Sequence, residues 1–229
     1  MKLKDITDIF FDLDHTLWDF DRNSALTFEK IFQKNKVDIN LSKFLSHYEP
    51  INLQYWKRFR EEQVDKATLR YGRLNDTFNK IDFKASDTLI HQLSEDYIDY
   101  LSSFNHLFDG VFDILDYLQP KYKLHIITNG FKEVQEGKLH NSKIGHYFDT
   151  ITNSEEVGVK KPNPMVFNFA IASAGADLKQ SVMIGDNYEA DTLGALNAGL
   201  DAIHFNFHKD DIDENIKQVS NLQDLKMYL

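Results

Sequence analysis

Residues 9–16 read Ile9-Phe10-Phe11-Asp12-Leu13-Asp14-His15-Thr16. Three apolar residues lead into two aspartates one residue apart, after which the chain turns polar. The apolar run has the length and texture of a short buried strand. Side chains alternate along a strand, so Asp12 and Asp14 fall on one face. A strand end that opens into a loop is where an open α/β sheet assembles its site. Read alone, the pair is also compatible with a charged surface loop, and the rest of the chain has to decide.

Four further apolar segments punctuate the second half: Leu124-His125-Ile126-Ile127, Ile151, Val182-Met183-Ile184 and Ala202-Ile203-His204-Phe205. Such nearly continuous apolar runs suit parallel strands covered on both faces. Helical segments separate them, which is the βαβ signature of an α/β fold. One helix is predicted from Asn163 as cap, through Pro164, Val166, Phe167, Ala170, Ile171 and Ala174, to a left-handed stop at Gly175. Another follows Asp186 and ends near Gly199, with Ala190, Leu193 and Leu196 expected to face inward.

Residues 17–106 have a different period. Aromatic and aliphatic stripes recur at helical spacing: Ala25, Phe28, Ile31 and Phe32; Ile51, Tyr55, Trp56 and Phe59; Ala67, Tyr71, Leu74 and Phe78; Leu89, Leu93, Tyr97 and Leu101. Core packing accounts for such stripes better than ligand binding does. Of the ten glycines only Gly72 lies here. The expected organisation is an α/β core over 1–16 and 107–229, interrupted by a helical insertion over 17–106. A chain of 229 residues, against about 150 for an average domain, accommodates both parts.

Composition narrows the function classes. Thirty-six acidic against twenty-six basic residues leave a formal charge of −10, which argues against a nucleic-acid polymer as partner. The absence of cysteine rules out disulfide scaffolds, thiolate metal sites and cysteine nucleophiles. Asp12 and Asp14 break the one N-terminal apolar run, so no secretory signal is expected. No stretch approaches the roughly 18 apolar residues of a membrane span, and a cytoplasmic location is expected. All five arginines, Arg22, Arg58, Arg60, Arg70 and Arg73, fall in the helical insertion. The net charge therefore leaves a small anionic substrate open.

The remaining strand ends carry polar sets of their own. Thr128-Asn129-Gly130 follows the second strand, Gly158-Val159-Lys160-Lys161-Pro162 the third, and Gly185-Asp186-Asn187-Tyr188-Glu189-Ala190-Asp191 the fourth. Each fragment is weak alone; their order and common position after strands make the set specific. That set resembles the four motifs of the haloacid dehalogenase superfamily, most of whose members are Mg²⁺-dependent phosphatases. The resemblance covers the whole chain, since a helical cap inserted after the first motif belongs to it. It implies a doubly wound, Rossmann-like parallel sheet in the order 3-2-1-4-5.

Carried onto this sequence, the resemblance makes Asp12 the nucleophile that becomes an aspartyl phosphate. Asp14 becomes the general acid for the leaving oxygen and then the base for water. The carboxylates of Asp12 and Asp186, with the main-chain carbonyl of Asp14, would hold Mg²⁺. Thr128 and the amide of Asn129 would bind phosphoryl oxygens, and Lys161 would steady nucleophile and phosphate, with Lys160 the neighbouring alternative. Asp191 would serve as a hydrogen-bonding partner rather than a direct ligand. Dehalogenation is not expected, because releasing halide needs no proton and such members lack the second aspartate. His15 stands where glycine is common in the family.

Within the superfamily the chain is most similar to the pyrimidine 5′-nucleotidase branch, through Phe10 to Trp18, Ile127 to Phe131, Ser154 to Pro162 and the stretch from Ala67 to Leu74. A nucleoside monophosphate substrate follows from that, with Trp18, Tyr71 and Arg73 as candidate substrate contacts. Sugar-phosphate and phosphoglycolate phosphatases share the catalytic motifs, and a phosphomutase is a related alternative. A phospho-receiver signalling module is the rival of another class; the Asp12–Asp14 spacing and the helical insertion argue against it. The expected partner is a small phosphorylated substrate, with neither nucleic-acid polymer nor membrane, and the chain is expected as a monomer or weak homo-oligomer.

Overall fold

Strand β1 (Asp8–Phe11) is completely buried and lies in the middle of the sheet. The computed structural model describes residues 2–229. After β1 the chain forms α1 (Phe20–Lys34), α2 (Leu41–Arg60), α3 (Lys66–Lys80) and α4 (Asp87–Leu101). It continues through α5 (Val111–Leu118), β2 (Lys123–Thr128), α6 (Lys132–Asn141), β3 (Thr150–Asn153), α7 (Ser154–Val157) and α8 (Pro164–Ala174). The last part holds β4 (Ser181–Gly185), α9 (Gly194–Ala198), β5 (Asp201–Phe205) and β6 (Gln218–Val219).

The strands form one parallel sheet in the order β3-β2-β1-β4-β5-β6. The expected order of five strands is present, and a sixth strand of two residues extends it. Gln218–Val219 is too short to produce an apolar run, so its pairing with His204 and Phe205 left no trace in the sequence. Register sets the site. Phe11 lies opposite both Ile126 and Ile184, and Thr128 opposite Asn153. Residues following β1, β2, β3 and β4 therefore leave the sheet along one edge.

Phe10, Ile127 and Met183 cover one face of the sheet and pack against Val166, Phe167 and Ala170 of α8. Helix α8 starts and stops where its punctuation predicts: Asn163 accepts from the Met165 amide, and Gly175 takes φ 62°. The segment after Asp186 departs from expectation. Tyr188–Leu193 forms a π-helical turn before α9, which inserts an extra residue and rotates the helix that follows. Gly194 and Ala195 face the core, whereas Leu196 is 39% exposed.

The chain divides into two compact units. One holds the residues up to Asp19 together with Asn105–Leu229, and the other Phe20–Phe104. These limits lie two or three residues inside the expected 17–106. Trp18 forms bridges to Asp14 and Leu107, and Asp19 and Phe108 bond His106 and Leu17 through the main chain, which keeps both connections with the sheet. The helical unit is α1–α4. Phe28 lies at its centre, with the rings of Phe32, Phe44, Tyr48 and Tyr97 between 4.6 and 5.5 Å away. Each such pair adds about 0.5–1.5 kcal/mol beyond buried area. Gly72 lets α3 approach α2, since a Cβ there would lie 2.5 Å from the Tyr55 hydroxyl. No described helix is long and apolar enough to cross a membrane.

Candidate active site

Asp12 directly follows β1, and its amide donates to the carbonyl of Ile184 on β4. The carboxylate is buried and accepts from Lys161 Nζ at 2.6 Å. Lys161 is itself buried and also reaches the Ile127 carbonyl at 2.7 Å and Asp191 Oδ1 at 2.7 Å. Of the two adjacent lysines, only Lys161 enters the cluster in this way. Burial opposes its charge, but Asp12 and Asp191 more than offset that, and its pKa stands above the ordinary lysine value.

The carboxylates outnumber this ammonium. Oxygens of Asp12, Asp186 and Asp191 lie within 4.8 Å of one another. Burial pushes the pKa of Asp12 up to about 8; Asp191 and Asp186 add to the shift and Lys161 works against it. Burial, then the neighbouring Asp191, raises Asp186 to about 8 as well. Three converging carboxylates, Asp12 and Asp191 buried and Asp186 partly exposed, form an all-oxygen set with the chemistry of a site for a hard divalent cation. Asp191 is already committed: Oδ1 to Lys161 and Oδ2 to the Asn187 amide at 3.0 Å. Gly185 is required beside it, because a Cβ there would overlap the Asp191 carboxylate.

Asp14 points its carboxylate elsewhere. Oδ1 accepts from Lys138 Nζ at 2.6 Å and Oδ2 from Gln135 Nε2 at 2.9 Å. The turn after Asp14 places His15 at φ 61°, a left-handed conformation that glycine adopts without strain.

Thr128 ends β2 with its hydroxyl buried. The oxygen accepts from the Gly130 amide at 3.0 Å and from Gln135 Nε2 at 2.6 Å. A hydroxyl has two acceptor positions and one proton, so these two bonds leave the proton available to donate. Asn129 spans to the third motif: Nδ2 donates to the Lys161 carbonyl at 3.0 Å, and Oδ1 accepts from the Lys161 amide at 2.9 Å. Asn153 ties the same loop by donating to the Gly130 carbonyl at 2.7 Å. Thr16 Oγ1 accepts from the Asp186 amide at 3.1 Å, joining the first motif to the last.

The structure thus brings Asp12, Lys161, Asp186 and Asp191 into one cluster, with Thr128 and Asn129 tied to it through Lys161 and its neighbours. Gln135, Lys138 and Asn153 join them although nothing in the sequence reading singled them out. The three candidate substrate contacts lie differently. Trp18 is fully buried, with Lys138 Nζ 4.4 Å above its ring. Arg73 is 2% exposed inside the helical unit, donating to Asn52 Oδ1 at 2.9 Å, with its guanidinium 4.9 Å from the Tyr97 ring. Neither presents a face to a ligand. Tyr71 is partly exposed on the helical unit and donates to Asp87 Oδ1 at 2.6 Å.

Comparison with known proteins gives concordant results. Residues 9–205 match the family described as Haloacid dehalogenase-like hydrolase. The chain is 31% identical over 225 residues to pyrimidine 5′-nucleotidase YjjG of Escherichia coli, covering 96% of each chain. It is 30% identical over 202 residues to pyrimidine 5′-nucleotidase PynA of Streptococcus pneumoniae, covering 87% of this chain and 84% of that one. A magnesium-bound crystal structure of the HAD-hydrolase YfnB from Bacillus subtilis superposes with a TM-score of 0.87, at 26% identity over 97% of each chain.

Proposed function

The chain belongs to the haloacid dehalogenase-like hydrolases and is a phosphatase, and from that premise we propose that it hydrolyses nucleoside 5′-monophosphates, pyrimidine nucleotides foremost, with Mg²⁺. The observation that carries the chemistry is the buried excess of carboxylates around Asp12, matched by a single ammonium. The nucleotide assignment is supported by near full-length similarity to two pyrimidine 5′-nucleotidases.

The carboxylates of Asp12 and Asp186 and the main-chain carbonyl of Asp14 would hold Mg²⁺, which supplies positive charge against the phosphate dianion. Magnesium in the related YfnB structure supports that choice of ion. Lys161 holds one oxygen of Asp12 and adds its own charge. The Asp12 carboxylate attacks phosphorus, the ester P–O bond breaks, and Asp14 delivers a proton to the leaving alkoxide. Asp14 then takes a proton from water as that water attacks the aspartyl phosphate, releasing inorganic phosphate and restoring Asp12. The Thr128 hydroxyl and the Asn129 amide bind the phosphoryl oxygens, fixed donors aimed at developing charge. The helical unit is the proposed cap, excluding water from the reaction; Tyr71 is its remaining candidate contact.

The test is phosphate release with Mg²⁺, and with EDTA, from UMP, dUMP, dTMP, AMP, phosphoglycolate and hexose phosphates. Mg²⁺-dependent multiple turnover, fastest on the pyrimidine nucleotides, is expected. Activity on another ester class with none on nucleotides overturns the substrate assignment. Stoichiometric phosphorylation without turnover overturns the hydrolytic reading.

A further inference from the structure

Helix α6 begins four residues beyond Thr128 and sends two side chains toward the first motif. Gln135 and Lys138 are three residues apart, so they share a helix face. Both are 2% exposed. Between them they occupy both oxygens of Asp14, Lys138 on Oδ1 at 2.6 Å and Gln135 on Oδ2 at 2.9 Å. Gln135 uses the same amide nitrogen to reach Thr128 Oγ1 at 2.6 Å.

Packing alone does not account for this arrangement. A buried ammonium loses its hydration, and a methionine would fill similar space without that loss. The Gln135 carbonyl oxygen is buried without a hydrogen-bond partner, a cost a leucine would avoid. The loop is shaped around the contact as well: a Cβ at Gly130 would overlap the Gln135 amide and come within 3.2 Å of Asp14 Oδ2. The Trp18 ring lies against the Lys138 ammonium at 4.4 Å and limits where it can move.

We propose that Lys138 and Gln135 are positioning residues that together aim the Asp14 carboxyl group at the leaving oxygen, and that Gln135 couples this aim to the Thr128 phosphate contact. The inference rests on the phosphatase reading above. Each oxygen of a carboxylate has two acceptor positions. One bond to each from α6 therefore leaves a position on each oxygen, and a proton in transit can occupy one while both clamps stay made. With the carboxyl held at both oxygens, its rotation about the Cβ–Cγ bond is stopped. Gln135 also fills an acceptor position on Thr128, which directs the Thr128 proton away from the helix.

The chemistry supplies a readout that a purely structural role would not move. An alkoxide leaving group needs the proton from Asp14, whereas 2,4-dinitrophenolate leaves without it. The quantity to compare is kcat/KM, which covers steps only through departure of the leaving group. Lys138→Met is expected to lose about 100-fold on the best nucleotide substrate, the effect of misplacing a catalytic group by around an ångström. On 2,4-dinitrophenyl phosphate it is expected to lose less than about threefold. Gln135→Leu is expected to lower kcat/KM on both esters through its Thr128 contact and to fall further on the nucleotide than on the dinitrophenyl ester, and it serves as the test if Lys138→Met does not fold. Equal losses on both esters overturn the inference. Asp14→Asn is the control: if it shows no such split, Asp14 is not the acid, and it is the mechanistic reading that fails.

Discussion

The two ends of β1 each carry a buried carboxylate, Asp8 at the start and Asp12 just past the end, inside opposite kinds of polar cluster. At its start, Asp8 Oδ2 accepts from Thr7 Oγ1 at 2.6 Å, and Oδ1 lies 3.1 Å from His125 Nε2. The other ring nitrogen of His125 is 2.9 Å from Thr150 Oγ1. This set bonds β1, β2 and β3 together with each side-chain group matched to a neighbour. At the other end, Asp12 and Asp186 meet Asp191 over one lysine, and both have pKa values pushed up to about 8. One cluster is electrostatically closed and holds strands together; the other is open and suited to a cation and a phosphoryl group. Burial alone does not separate structure from function; the balance of donors and acceptors does.

The sharpest way to break the contrast is to remove the ammonium from the open end. Lys161→Met leaves Asp12 and Asp191 uncompensated and is expected to lower stability by at least ~3 kcal/mol while abolishing phosphate release. Chemical denaturation and turnover measure the two losses; a stable, active variant would contradict the account. Asp8→Ala at the closed end strips His125 and Thr7 of a shared acceptor. It should cost about 2 kcal/mol. Its kcat is expected within about twofold of wild type, since well-separated sites rarely couple. A large fall in kcat at unchanged stability would make the closed end functional.

Arg73 extends the contrast to the helical unit. Held by Asn52 and the Tyr97 ring, it belongs with the closed clusters. Arg73→Met is expected to destabilise by about 1–2 kcal/mol through lost packing and hydrogen bonding, with KM within about twofold of wild type. A KM rise of tenfold or more, measured on the best nucleotide, would return Arg73 to the substrate contacts.

A smaller effect comes from pH. Asp12 and Asp186 titrate near 8 in the folded chain against an ordinary 3.8, so the folded state holds more protons between those values. Their contribution to stability is present below the ordinary value and is lost as pH rises toward the folded one. The metal-free protein should therefore melt at lower temperature at about pH 8 than at about pH 5, and Mg²⁺ should raise the melting temperature most at the higher pH. A melting temperature that rises with pH in EDTA would contradict the open-end electrostatics.

Much of this was readable from the chain. Asp12, Thr128 and Asp186 stand at or just past the ends of short apolar strands that parallel register brings to one edge, and with Lys161 they draw their expected roles from the ordered motifs the chain shares with the haloacid dehalogenase superfamily. Lys161 is the lysine directly before Pro162, which is what the family resemblance selects, and the coordinates place its ammonium on Asp12. Gln135 and Lys138 stayed hidden because Lys132–Asn141 reads as an ordinary charged helix, and nothing local says which face meets Asp14. Leu196 turns toward solvent, against its place in the apolar pattern, because a π-helical turn changes the period midway. The closed cluster left one visible signal, a histidine inside the apolar run Leu124–Ile127, but its aspartate lies 117 positions away.

The proposed hydrolysis depends first on Asp12 as nucleophile. The direct measurement is multiple-turnover phosphate release by Asp12→Asn with Mg²⁺ on the best substrate, beside a melting curve showing that the variant is folded. The predicted result is a loss greater than about 10⁴-fold with the fold retained. Turnover within about tenfold of wild type would contradict it, because an amide cannot accept and release the phosphoryl group as a carboxylate does.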